Sequence, residues 1–188
     1  MINANDLKRK DHILLDGQPF AVLEVTFASP SARGASTMVK ARVRNLLNAA
    51  VLDKTFKTSE KFNEPDVELT PATYQYSDPQ QYHFMDETTY EQFSLSIDKL
   101  GDNKNYLKEG MALQALKFNG QVVSLELPPY VELKIISTDP PIKGASAAGS
   151  SKKPATVETG LKVHVPLYIE EGTVVRVNTE TGEVSGRA

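Results

Sequence analysis

Cysteine is absent from this 188-residue sequence, which excludes a disulfide framework and every thiolate metal site and fits a reducing cytosol. Histidine is scarce. His12, His83 and His164 are scattered and read as exposed or hydrogen-bonded strand residues, so no metal is expected. No apolar run approaches the roughly 18 residues that a membrane helix requires. Residues 1–10, MINANDLKRK, carry no apolar stretch after their charges and do not read as a secretory signal. Phosphate-binding and dinucleotide-binding glycine motifs are missing. So is a serine set between the glycines of a nucleophile elbow. Asp86, Glu87 and Glu91 come nearest to a catalytic carboxylate pair, but carboxylates so spaced suit a solvated helix start better. The sequence offers no catalytic residue, no metal site and no cofactor site, and it argues against an enzyme.

The net charge of −3 argues weakly against a nucleic-acid partner. That average hides a segregation. Residues 1–64 carry ten Lys/Arg against seven Asp/Glu, residues 65–128 four against ten, and residues 129–188 seven against seven. The basic first third is where phosphate contacts are expected.

The pattern is strand-like almost throughout. Residues 21–28 alternate, with Leu23, Val25 and Phe27 on one face and Glu24 and Thr26 on the other. In residues 37–46, Val39, Ala41 and Val43 share one face and Lys40, Arg42 and Arg44 the opposite one. Residues 51–57 form a third strand. With turn signals at Asp16-Gly17 and Asn48, this region reads as a small barrel. A second series of strands follows Pro65, with a strong hairpin signal at Asn119-Gly120. Residues 87–100 read as a helix or as a turn followed by a strand, with Asp86 as a candidate N-cap. Pro128-Pro129 marks a second boundary. Beyond it lie further strands, a Gly/Ser/Lys-rich loop at 140–154 and a hairpin signal at Thr181-Gly182. The second and third segments each have the size of an OB-type barrel. The domains expected are 1–64, 65–128 and 129–188.

The sharpest feature is SPSARGAST, residues 29–37, a small-residue loop between two strands with one cation, Arg33. An ordinary surface hairpin would explain it. A functional reading explains it equally well. Two strands of about eight residues project a tip on the order of 20 Å, and small neighbours keep that tip thin. Gly34 permits unusual backbone angles, and a guanidinium forks to phosphate or stacks on a base. The Lys40, Arg42 and Arg44 stripe is either a half-exposed strand face or a grip on a nucleic-acid backbone, with the absence of an acid between them favouring the second. Lys143, Lys152 and Lys153 form either a second anion site or a solubilising loop.

Three stretches then carry a family resemblance: KPATVETGLKVHVPLYIEEGTVVRVNTETG at 153–182, YHFMDETTYEQ at 82–92 and KGASA at 143–147. On these residues the chain resembles bacterial elongation factor P nearly end to end. Its tip departs from the main family, which has Pro-Gly-Lys-Gly. Here Pro30 is followed by Ser31-Ala32-Arg33-Gly34, which looks like the elongation factor P-like paralogue with a longer, arginine-tipped loop. Val184 stands where the family signature usually has tyrosine.

The resemblance implies an all-β fold of three consecutive small barrels, an SH3-like KOW-type domain and two OB folds, in an L-shaped, tRNA-like arrangement. It implies a monomeric cytoplasmic factor, with no membrane partner, that binds the 70S ribosome between the peptidyl and exit tRNA sites and rescues stalls at consecutive prolines. Ser31, Ala32, Arg33 and Gly34 would reach the CCA end of the peptidyl-tRNA. Lys40, Arg42, Arg44, Lys143, Lys152 and Lys153 would hold tRNA or ribosomal RNA phosphates. The tip lysine of the main family is lengthened by a β-lysine-type addition that Arg33 cannot accept, and another branch carries a sugar on its tip arginine. Arg33 is expected to be unmodified. A general OB-fold RNA-binding protein or RNA chaperone is the alternative, weakened by an aromatic content of 7%. A hydrolase on OB folds lacks a catalytic pair.

Overall fold

The structure is a computed structural model, which describes residues 1–28, 37–140 and 151–188. Strands account for 58% of it and helices for 8%, as the alternating pattern requires.

Packing divides the chain into two compact units, Met1–Leu69 with Leu116–Ser124, and Thr70–Ala115 with Leu125–Ala188. The first unit contains β1 (Ile2–Asn3), β2 (His12–Leu15), β3 (Gln18–Ala28), β4 (Met38–Asn45), β5 (Val51–Lys57) and β6 (Lys61–Phe62). β2, β3, β4 and β5 form an antiparallel meander in that order, and β1 pairs with β6. The Asp16-Gly17 turn joins β2 to β3, both residues having positive φ. β4 lies inside the sheet, and its alternation is strict: Val39, Ala41 and Val43 are buried while Lys40 and Arg42 are exposed. Ile13, Phe20, Val22 and the edge-to-face pair Phe56–Phe62 complete that core.

β3 corrects the simple alternation. Its register against β4 shifts between Val22 and Glu24, so Val22 lies opposite Val43 and Val25 opposite Ala41. Val22 therefore takes the core place expected for Leu23, because a bulge admits one extra residue and resets the faces. Phe27 lies opposite Val39 but stays 50% exposed.

The middle sheet is built from β7 (Val67–Ser77), β8 (Gln81–Asp86), β9 (Gln92–Ser96), β10 (Ala112–Phe118) and β11 (Gln121–Glu126), in the order β11-β10-β7-β8-β9. Between β9 and β10 lie α1 (Ile97–Leu100) and a 3₁₀ turn. The last sheet is built from β12 (Tyr130–Thr138), β13 (Lys152–Val157), β14 (Lys162–Pro166), β15 (Val174–Asn178) and β16 (Val184–Arg187), in the order β14-β13-β12-β15-β16. Both sheets place their strands in the order fifth, fourth, first, second, third. β14 also approaches β16, so the last sheet curls on itself. Leu133, Ile135, Val157, Val165 and Val175 are wholly buried in its interior.

Residues 87–91 form a turn, and β9 follows. Asp86 is buried, and its carboxylate accepts the N–H groups of Thr88 and Thr89 at 2.8 and 3.1 Å. That is a side-chain-closed turn. The expected N-cap is corrected accordingly, since the helix is only the four residues of α1. The Asn119-Gly120 turn has φ of 50° and 78°, the doubly left-handed geometry of a two-residue hairpin.

Phe84 is wholly buried, with Tyr74 and Phe93 ring centroids 5.5 and 5.3 Å away. Phe84→Ala is expected to cost about 3–5 kcal/mol, because the void cannot collapse between two rings. Urea unfolding at neutral pH measures it, and a loss below about 1 kcal/mol would contradict this packing.

Candidate nucleic-acid interface

The basic face is built on β4. Antiparallel pairing sets Ala28 opposite Met38 as the last pair of the β3–β4 ladder, with residues 29–36 following from there. Ser31, Ala32, Arg33 and Gly34 lie outside the described residues, as does Lys143.

Lys40, Arg42 and Arg44 do share one face, since they alternate with three buried residues. Their surroundings differ. Lys40 lies opposite Thr26 on β3 and Thr55 on β5. Arg44 lies opposite Ala21 and Val51, and its Nε is cut off from solvent with no acceptor among the described residues. A buried donor left without a partner costs roughly 1–3 kcal/mol, and, enclosed as it is, this nitrogen is not a contact point for an anion from outside. Arg42 lies opposite Glu24 and Asp53. No acid separates the three cations along the chain, but two acids flank the middle one across the sheet. Glu24, Lys40, Arg42, Asp53 and Lys54 line a shallow depression of about 190 Å³, and Arg44 lies outside that lining. Sequence reading along one strand missed Glu24 and Asp53. The signal lay in the hairpin register.

The second basic group is corrected in part. Lys152 is exposed, but its neighbour Lys153 is 4% exposed and its ammonium donates to the backbone carbonyl of Asp139. Successive strand residues face opposite sides, so only one of two adjacent lysines can point outward. Lys153 ties β13 to the Asp139 carbonyl and does not present its charge to a phosphate. Lys162 and His164 are exposed on β14, opposite Thr156 and Pro154 of β13.

His83 is a hydrogen-bonded strand residue, as expected. Its Nε2 lies 2.6 Å from Asp78 Oδ2, its Nδ1 lies 2.7 Å from Ser94 Oγ, and its ring stacks on Tyr76 at 4.5 Å. The three side chains tie the 78–80 turn to β8 and β9. Among the described residues no group of three His, Cys, Asp or Glu side chains forms a metal site, and no helix is long and apolar enough to cross a membrane.

An antiparallel meander followed by two five-stranded sheets of one strand order defines a class of proteins built from small β-barrels. Family models name the parts. Residues 3–62 match the elongation factor P KOW-like domain, residues 67–125 its OB domain and residues 131–187 its C-terminal domain. The chain is 41% identical to elongation factor P of Moorella thermoacetica over the full length of both chains. It is 42% identical to that of Carboxydothermus hydrogenoformans over 97% of each. A solved structure of translation initiation factor 5A from Methanococcus jannaschii aligns with 66% of this chain and 94% of its own, at 18% identity and a TM-score of 0.42. The chain belongs to the elongation factor P family.

The Asp78 carboxyl is lowered to about 2, chiefly by the hydrogen bond from His83 and then by the N–H groups of Gln80 and Gln81. A carboxyl depressed in the folded state stabilises the fold above its ordinary value, and that contribution disappears as pH falls towards 2. Asp78→Asn is therefore expected to shrink the loss of stability between about pH 4 and pH 2. Urea midpoints across that range check it, and parallel curves for both proteins would refute the coupling.

Proposed function

We propose that this chain is a translation elongation factor. It binds the 70S ribosome between the peptidyl and exit tRNA sites and promotes peptide-bond formation at consecutive-proline stalls. It acts as a cytoplasmic monomer without a cofactor, as an accessory to the ribosome's peptidyl-transferase centre and not as an enzyme itself. Its functional domains are 1–64, 65–128 and 129–188.

The observation that carries this reading is the outer face of β4. Lys40 and Arg44 lie on one face of the strand that follows residues 29–36. An RNA backbone held along this face would bring the tip segment to the end of the same strand. Proline is a poor reactant in peptide transfer because its ring restricts φ and constrains the amine. The factor need supply neither proton nor nucleophile. Correct orientation of reacting groups is worth as much as roughly 7–11 kcal/mol. Arg33, unmodified and carried on a longer loop, bonds the CCA backbone, with Ser31, Ala32 and Gly34 keeping the tip thin. Arg42, Lys143 and Lys152 add RNA contacts.

One observation favours a general RNA-binding module instead: Tyr76, 47% exposed and stacked on His83, resembles a base-stacking platform. The excess of six acidic charges in residues 65–128 opposes it.

The test is in vitro translation of a consecutive-proline reporter in a system depleted of elongation factor P. The added protein is made in cells lacking tip-modifying enzymes. Rescue by the wild type and not by Arg33→Ala is expected, and equal rescue by both would overturn the role of Arg33. Mass spectrometry of the native Arg33 peptide should show no added deoxyhexose. Lys40→Ala/Arg44→Ala should weaken co-sedimentation with ribosomes. It should also reduce the slope of log affinity against log salt by about 1.4–1.8, the share of two phosphates.

A further inference from the structure

Arg42 differs from the cations on either side of it. Its neighbours across both ladders are carboxylates, Glu24 on β3 and Asp53 on β5. All three side chains are exposed and line the same depression as Thr26, Lys40 and Thr55. Among the described residues no ion pair joins Arg42 to either carboxylate. The row spans three strands, about 10 Å, across the centre of the basic face.

Two carboxylates in that place work against phosphate binding, since like charges repel as strongly as the cations attract. A nucleic-acid backbone carries one group that reverses the sign. The ribose 2′-hydroxyl donates to a carboxylate in a short, charge-assisted hydrogen bond, and DNA has no such donor. We propose that Glu24 and Asp53 form a ribose subsite, accepting 2′-hydroxyls of an RNA strand whose phosphates Lys40 and Arg44 hold, so that this face selects RNA over DNA. The inference rests on the reading of the β4 face as an RNA interface. Arg42, between them across both ladders, offsets one of the two negative charges. Thr26 and Thr55 donate to phosphate in RNA and DNA alike, so they add affinity without discrimination.

Fluorescence anisotropy of a labelled acceptor-stem hairpin tests it at one fixed salt concentration. Three versions of a single sequence are used: RNA, DNA and 2′-fluoro RNA. The 2′-fluoro hairpin keeps the A-form shape and loses the donor, which separates hydroxyl recognition from groove shape. The wild type should bind RNA about fivefold or more tighter than both other hairpins, the worth of one or two hydrogen bonds to a charged acceptor. Glu24→Gln/Asp53→Asn, nearly isosteric at two exposed positions, should tighten DNA and 2′-fluoro RNA more than RNA and bring the preference below about twofold. Equal affinity of the wild type for RNA and 2′-fluoro RNA would overturn the inference. So would a uniform tightening in the double variant, which is repulsion alone. Failure of the wild type to bind any hairpin would instead overturn the reading of the face on which the inference rests.

Discussion

The register of β4 between β3 and β5 is the constraint on which the first unit depends. Side chains alternate with a period of two, so the register that buries Val39, Ala41 and Val43 must also expose Lys40 and Arg42. A slip of one residue would drive cations into the core, where an unpaired charge is far costlier than any single contact is favourable. Core and basic face are two readings of one pairing. The basic face is therefore as rigid as the hydrophobic packing behind it.

The same period governs the last sheet. It separates Lys152 from Lys153, one facing solvent and the other bound to the Asp139 carbonyl. It also exposes Lys162 and His164 between the buried Val163 and Val165. Across the sheets, pairing decides what alternation cannot. Arg42 has carboxylates on both sides, Lys40 hydroxyls and Arg44 apolar neighbours. Three cations alike in a one-dimensional reading have three different electrostatic settings.

Much of the fold was legible in residues 1–188 as written. Strand runs at 37–46 and 51–57 and the turns at Asp16-Gly17 and Asn119-Gly120 announce themselves through alternation and left-handed turn chemistry. What misled were places where one residue interrupts a period. The bulge beside Leu23 moves Val22 into the core, and no propensity marks it, since Leu, Val and Glu all occur in bulged strands. At Asp86 the same side chain serves equally as a helix cap or as a turn acceptor, and the half-buried Phe93 and buried Leu95 decide for a strand. The candidate site was half legible. The cations lie on one strand and were visible together, whereas Glu24 and Asp53 lie 18 and 11 residues from Arg42 in the chain and meet it only through two ladders.

The burial of Lys153 has a consequence for the chemistry of the protein's amines. A lysine whose nitrogen is enclosed and already donating to a carbonyl is closed to enzymes and reagents that acylate free amines, because they need an accessible, deprotonated nitrogen. Lys152, one residue earlier, is exposed and open to them. Two adjacent lysines of identical composition thus behave as one reactive handle and one internal tether, and covalent marks on this pair would collect on the first while the second keeps its bond to Asp139.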